Sequence, residues 1–243
     1  MQVLGVILAR RGSVGLKDKH MLSLLGKPVI SYTFEHARQS KLLTRVVVSS
    51  DCPQVRRAAG AAKFETIARP AELATSDATV QDALLHALRA VESRSSFRAD
   101  AVVTLYGNVA VRSPGVIDRA IEKLVETGCD SVRSFCPVGK WHPAWMSKLE
   151  GGRVQALQPN TIHRRQDLTP LYLHDGAVVV STRAALLRGE ADRSNAHAFF
   201  GVDRRGIETG MDETVEIDHL RDLFWAEAVL RAREVENRRQ RVA

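Results

Sequence analysis

The chain has 243 residues, 44% hydrophobic and 26% charged, with a formal net charge of +7. Such proportions argue against a disordered chain, and the longest apolar run, Val3 to Ala9, falls far short of the ~20 residues that cross a bilayer. The positive charge would suit nucleic acid or small polyanions. The arginine-dense tail from Arg231 to Arg241 has no interleaved aromatic residues on which bases could stack, so small polyanions are favoured and neither nucleic acid nor membrane is expected. Three cysteines, Cys52, Cys129 and Cys136, match no zinc or redox spacing and predict reduced thiols in a cytoplasmic protein.

In chain order, Val3 to Ala9 reads as a buried strand because it is apolar and rich in β-branched residues. Pro28 to Ser40 follows as a helix with proline at its first position, then Arg45 to Ser50 as a second strand. Gln81 to Val91 repeats apolar residues at three- and four-residue steps and predicts a helix; Ala101 to Leu105 predicts the next strand. Ser113 and Pro114 read as the cap of a helix with Val116, Ile117, Ala120, Ile121, Leu124 and Val125 on one face, stopping at Gly128. From Gly139 to Tyr172 periodicity is lost, which predicts an excursion. Gly176 to Ser181 resumes as a strand, and a final amphipathic helix is expected from His219 to Glu236. Alternating strands and helices imply one α/β domain over residues 1–243: a doubly wound, mostly parallel sheet with helices on both faces, binding its ligand at the carboxyl edge where strand order switches.

The first strand breaks into ARRGSVGLKDKH, Ala9 to His20. A glycine-rich turn after a strand lets backbone N–H groups approach phosphate oxygens while basic side chains neutralise them. Arg10, Gly12, Ser13, Gly15 and Lys19 fit that role, although the spacing matches neither the dinucleotide nor the P-loop pattern. Glu216 and Asp218 alternate in VEID, so an extended backbone puts both carboxylates on one face, where they could hold magnesium.

The ordered set ARRGSVGLKDKH, LLGKPVISYTFEHA, VVVSSD, ARPAELATSDA, VVTLYGNVAVRSPGVIDRAI, HRRQDLTPLYLHDGAVVV and VEIDHLRDL resembles the acylneuraminate cytidylyltransferase family, the CMP-sialic acid synthetases. The resemblance implies a nucleotide-diphospho-sugar transferase-like fold. It also implies transfer of CMP from CTP to the anomeric hydroxyl of an ulosonic acid, with pyrophosphate leaving. By the same resemblance Arg10, Gly12, Ser13, Lys19 and Arg69 bind nucleotide, Arg10 and Lys19 being catalytic, and Glu216 and Asp218 hold Mg2+ where the family has paired aspartates. Tyr106, Asn108, Arg112, Lys140, Arg164, Arg165 and Gln166 fall where the family contacts its acidic sugar, and the excursion at 139–172 falls where it forms a homodimer. His142 and His163 are further candidate sugar contacts; His86, Trp141 and Trp145 read as packing residues.

The pattern departs in three places. Val14 replaces the family's usual lysine, His20 its asparagine, and Tyr106–Arg112 (YGNVAVR) its Q-P-T-S-P-L-R. Tyrosine for glutamine changes the donor geometry and the pocket volume, which points to an acceptor other than N-acetylneuraminate. A relative that binds nucleotide or sugar without turnover and a CMP-Kdo synthetase-like enzyme are the alternatives.

Overall fold

The computed structural model describes residues 1–12, 15–192 and 194–242. In chain order the elements are β1 (Val3–Leu8), β2 (Ser23–Leu24), β3 (Lys27–Pro28), α1 (Val29–Gln39), β4 (Arg45–Ser50), α2 (Pro53–Ala61), β5 (Glu65–Ala68) and α3 (Val80–Arg94). They continue with β6 (Ala101–Tyr106), β7 (Val109–Val111), α4 (Val116–Thr127), β8 (Ser131–Pro137), β9 (Ser147–Glu150), β10 (Arg153–Ala156), β11 (Tyr172–Thr182), α5 (Arg183–Gly189), β12 (Arg204–Glu208), β13 (Val215–Glu216) and α6 (Leu220–Val242).

The main sheet has the order β12-β8-β11-β6-β1-β4-β5. Strand β1 pairs in parallel with β4 and β6, β4 with β5, and β8 with β12; β11 runs antiparallel to both its neighbours. The mostly parallel, doubly wound expectation therefore holds. Burial on both faces explains the unbroken apolar run of β1, every residue of which is buried. One face is covered by Ile30 and Phe34 of α1, Val55 of α2 and Ile117 and Ile121 of α4. The other is covered by Leu84, Leu88 and Val91 of α3, with Leu186, Phe199 and Phe200. A third cluster ties Ala226 of α6 to Val111, Val215, Ile217 and Tyr32. From β1 the chain winds outward through β4 and β5, then returns through α3 to β6 on the other side of β1. This reversal opens a crevice beyond Leu8 and Tyr106, as strand-order switches do.

Several boundaries differ from the sequence reading. Pro28 is the N-cap of α1 rather than its first residue, and α4 is capped by Gly115 in a left-handed conformation (φ 68°), not by Ser113. Val125 is 62% exposed and lies off the packing face. Strand β11 starts upstream of Gly176, with an irregularity between His174 and Val179. The excursion is not shapeless: β9 and β10 form an antiparallel hairpin whose residues are all exposed.

Candidate active site

The loop after β1 and the turn after β6 face each other across the crevice. A cleft of about 190 Å³ is lined by Arg10, Lys19, His20, Arg69, Thr79, Tyr106, Asn108 and Glu216 among others. The loop is tied at its start, where Ala9 N–H donates to Ser49 O (3.2 Å) and Arg11 N–H to Asp51 Oδ1 (2.7 Å). Gly12 has a φ of +81°, which only glycine adopts readily. Ser13 and Val14 lie outside the described residues.

Four of the expected side chains meet at the far end of this loop. Lys19 Nζ is 2.5 Å from Asp218 Oδ1, and Lys19 is largely buried. Asn108 Nδ2 donates to Glu216 Oε1 at 3.0 Å, to Ile217 O at 3.2 Å and to Asp218 Oδ1 at 3.3 Å. The alternation predicted from VEID is present, since Val215 and Ile217 are buried while Glu216 and Asp218 are open. Glu216 is accessible from the open cleft, yet the surrounding protein raises its carboxyl above the ordinary range; Asn108 opposes that shift and Asp218 adds to it. The oxygens of these two neighbouring carboxylates suit a hard divalent cation that takes its remaining ligands from phosphates and water, while Asn108 Nδ2 orients them as a donor and is not a ligand. Among the described residues no group of three or more His, Cys, Asp or Glu converges to form a complete protein cage.

Arg69 is buried in the cleft wall. Its Nη2 donates to Ser49 O (2.8 Å) and its Nε to Ser49 Oγ (3.2 Å), and burial lowers its guanidinium to about 10. Arg10 Nη1 donates to Thr75 O (3.0 Å), reaching towards the start of α3. There Thr79 caps the helix by accepting from Asp82 N–H (3.1 Å), and the helix N-terminus opens on the cleft. His20 is buried among Lys19, Arg69 and Arg10. Burial first, then those cations, lower it to about 3, so its ring is neutral.

Arg112, expected at the sugar, turns its nitrogens to the protein and does not line this cleft. Its side chain is fully buried, Nε donating to Ala177 O, Nη1 to Thr33 Oγ1 and Val109 O, and Nη2 to Tyr106 O, with His36 Nδ1 a further partner of Nη1. It holds the turn that carries Tyr106 and Asn108 against β11 and α1. A larger cavity of about 560 Å³ beside α1, α4 and α6 contains, of the expected set, only Arg112. It lacks the basic loop after β1 and the acidic pair, so the smaller cleft is the candidate site.

Lys140, Arg164, Arg165 and Gln166 do not line the cleft of their own chain. Arg164 forms a forked pair with Asp167, and Arg165 Nη2 lies 3.7 Å from Met211 Sδ. His142 is buried and structural: Nδ1 accepts from Ala144 N–H and Nε2 lies 3.1 Å from Thr169 O. His163 is exposed.

A family model described as cytidylyltransferase matches residues 4–172. The chain belongs to the cytidylyltransferase family. It is 32% identical over 227 residues to the N-acylneuraminate cytidylyltransferase of Streptococcus agalactiae serotype V, across 90% of the chain and 54% of that protein. It is 28% identical over 198 residues to the CMP-N,N'-diacetyllegionaminic acid synthase of Legionella pneumophila, across 79% of the chain and 82% of that protein. The chain spans about half the length of the streptococcal relatives. Its fold matches a solved CMP:2-keto-3-deoxy-manno-octonic acid synthetase complexed with CTP, with a TM-score of 0.70 and 20% identity over 96% of this chain and 100% of that one. In this member of the family the acidic pair at Glu216 and Asp218 lies beyond the segment matched by the family model. Residues no sequence pattern singled out also build the site: Ser49 anchors Arg69, and Thr79 caps α3 at the cleft.

Proposed function

We propose that the chain transfers CMP from CTP to the anomeric hydroxyl of an acidic ulosonic sugar and releases pyrophosphate. The observation that carries this reading is the meeting of Arg10, Lys19 and Arg69 with Asn108, Glu216 and Asp218 across one strand-order switch. The hydroxyl oxygen bonds to the α-phosphorus as the bond to the bridging oxygen breaks; the hydroxyl proton passes to solvent water, and the negative charge grows on the departing pyrophosphate. Positioning and charge stabilisation dominate such chemistry. Lys19, held by Asp218, supplies a fixed cation beside the reacting phosphate, and Arg10 supplies a second nearer α3. Arg69, anchored on Ser49, shapes the nucleotide end. Neutral His20 offers a hydrogen bond there without adding charge. Glu216 and Asp218 would hold Mg2+, which when bound neutralises phosphate oxygens and polarises the phosphorus.

The sugar enters from the Tyr106 side of the cleft. Lys140, Arg164, Arg165 and Gln166 reach a sugar carboxylate only from a second copy of the chain, so the active species is a homodimer. Trp141, Leu149, Val154 and Leu173, which are 63 to 75% exposed on and around the β9–β10 hairpin, supply apolar surface for that contact. The test is pyrophosphate release with CTP, Mg2+ and a panel of ulosonic acids, with oligomeric state measured by light scattering. Release with one or more acceptors supports the assignment; release with none, or equal use of purine triphosphates, overturns it. A strictly monomeric active protein overturns the dimer.

A further inference from the structure

Arg133 lies on β8, and across β11 it shares one face of the sheet with the strand that ends in Tyr106. Val179 is in register with both Arg133 and Thr104, placing the arginine two strand spacings, ~10 Å, from β6. Its guanidinium carbon sits over two aromatic rings, 5.0 Å from the Phe135 centroid and 4.4 Å from that of Phe200. Arg204 approaches the same Phe200 ring at 5.9 Å. Arg133 Nε is buried and has no hydrogen-bond partner among the described residues. Burial and Arg204 both disfavour the cation, and Tyr106 is close enough to oppose them weakly. A buried N–H without an acceptor is costly to leave unpaired, so such a group is either strain or part of a ligand site.

We propose that Arg133 is a specificity-determining residue that donates to an oxygen on the end of the acceptor sugar remote from its reacting hydroxyl. The reacting end is fixed by Lys19, Glu216 and Asp218. Gly176 lies beside both Glu216 and Tyr106, since a Cβ on it would lie 3.0 Å from Glu216 Oε2 and 3.9 Å from Tyr106 Cδ2, and Tyr106 is in turn close enough to Arg133 for the two to interact electrostatically. A molecule bound at Glu216 and extending past Tyr106 therefore runs towards Arg133. The guanidinium has only donors, so it takes an oxygen with no proton to give, either the carbonyl of an acylamido group or a second carboxylate. The Phe135 and Phe200 rings fix the guanidinium plane and leave its edge for that oxygen.

This inference rests on the cytidylyl-transfer reading, and the experiment separates the two. Wild type, R133M and R133K are assayed for pyrophosphate release with ulosonic acids that carry an acylamido group, a second carboxylate, a hydroxyl or only hydrogen at the remote position. Relative to wild type, R133M should lose about tenfold or more in kcat/KM for whichever oxygen-bearing acceptor is preferred, and less than about threefold for the deoxy one, with KM for CTP unchanged. R133K keeps a charge between the rings but lacks the Nε–H, so it should lose the same discrimination. Equal losses across the panel, or wild-type ranking in R133K, overturn the role of Arg133. A wild type inactive with every acceptor overturns the transfer reading and this proposal together.

Discussion

Gly15 and Asp218 touch through their backbones: a Cβ on Gly15 would stand 2.6 Å from the Asp218 carbonyl oxygen. The basic loop after β1 and the acidic segment after β13 are thus one structure, separated by most of the chain. Backbone cannot yield as a flexible side-chain tip can, so Gly15→Ala must push the loop or the acidic pair aside. It should lower kcat/KM for CTP about tenfold or more while the melting temperature changes little, since Gly15 is exposed. Steady-state kinetics beside thermal unfolding check this, and unchanged kinetics would show that the two segments move independently.

Lys19→Ala and Asp218→Ala should each lower turnover by about a hundredfold or more, because each removes stabilisation of charge that grows on the phosphates. Lys19 is half of an ion pair with Asp218, so the double variant should fall much less than the product of the two single effects. Single-turnover rates of folded proteins decide this.

Arg112→Met removes a buried guanidinium that binds Tyr106 O, Val109 O, Ala177 O and Thr33 Oγ1. Ala177 O loses its side-chain donor, while Tyr106 O and Val109 O keep only the Thr33 hydroxyl between them at 3.2 and 3.1 Å, and the expected loss is about 1–3 kcal/mol. Denaturant unfolding measures it. Among acceptors the ranking of kcat/KM should not change, which separates a positioning residue from the sugar contact expected from sequence.

Tyr106 is half-buried at the end of β6 and lines the cleft. Burial and Glu216 push its phenol up to about 12, so it stays a neutral donor at every working pH. Tyr106→Gln should shift the ratio of kcat/KM between acceptors by ~10-fold or more and leave CTP affinity nearly constant. Calorimetry with CTP is the control; loss of CTP binding with an unchanged sugar ranking would assign this turn to the nucleotide.

His20 and His36 are both lowered to about 3, chiefly by burial. His36 faces Arg112, Arg233 and Lys27; His20 faces Lys19, Arg69, Arg10 and Asp218. The unfolded chain takes up these two protons near pH 6.5 and the folded chain does not, so stability is full above pH 6.5 and falls as pH drops towards 3. The slope is roughly 1 kcal/mol per pH unit for each histidine. Denaturant unfolding from pH 7 to pH 4 should show it, with a shallower slope in His36→Gln. A stability flat over that range would mean that both rings are protonated in the folded state, and a halved slope that one is.

The doubly wound class, a glycine-bearing basic loop after β1 and the same-face pairing of Glu216 and Asp218 were legible in the sequence, because all three depend on local pattern: apolar runs, glycine after a strand, and two-residue alternation. Strands β5, β8 and β12 escaped it. Their burial is partial, and β12 is exposed along most of its length, so no apolar run marks them. The environment of Arg112 was not legible, because an arginine near a predicted site carries no local sign of whether its nitrogens face ligand or protein. Only the packing of α1, β7 and β11 around it decided that. The same holds for Asn108 between the two carboxylates, for Lys19 on Asp218, and for Arg133 between two rings. Most of these contacts join residues far apart in the chain, and their energies depend on tertiary distance and burial, which one-dimensional spacing does not contain.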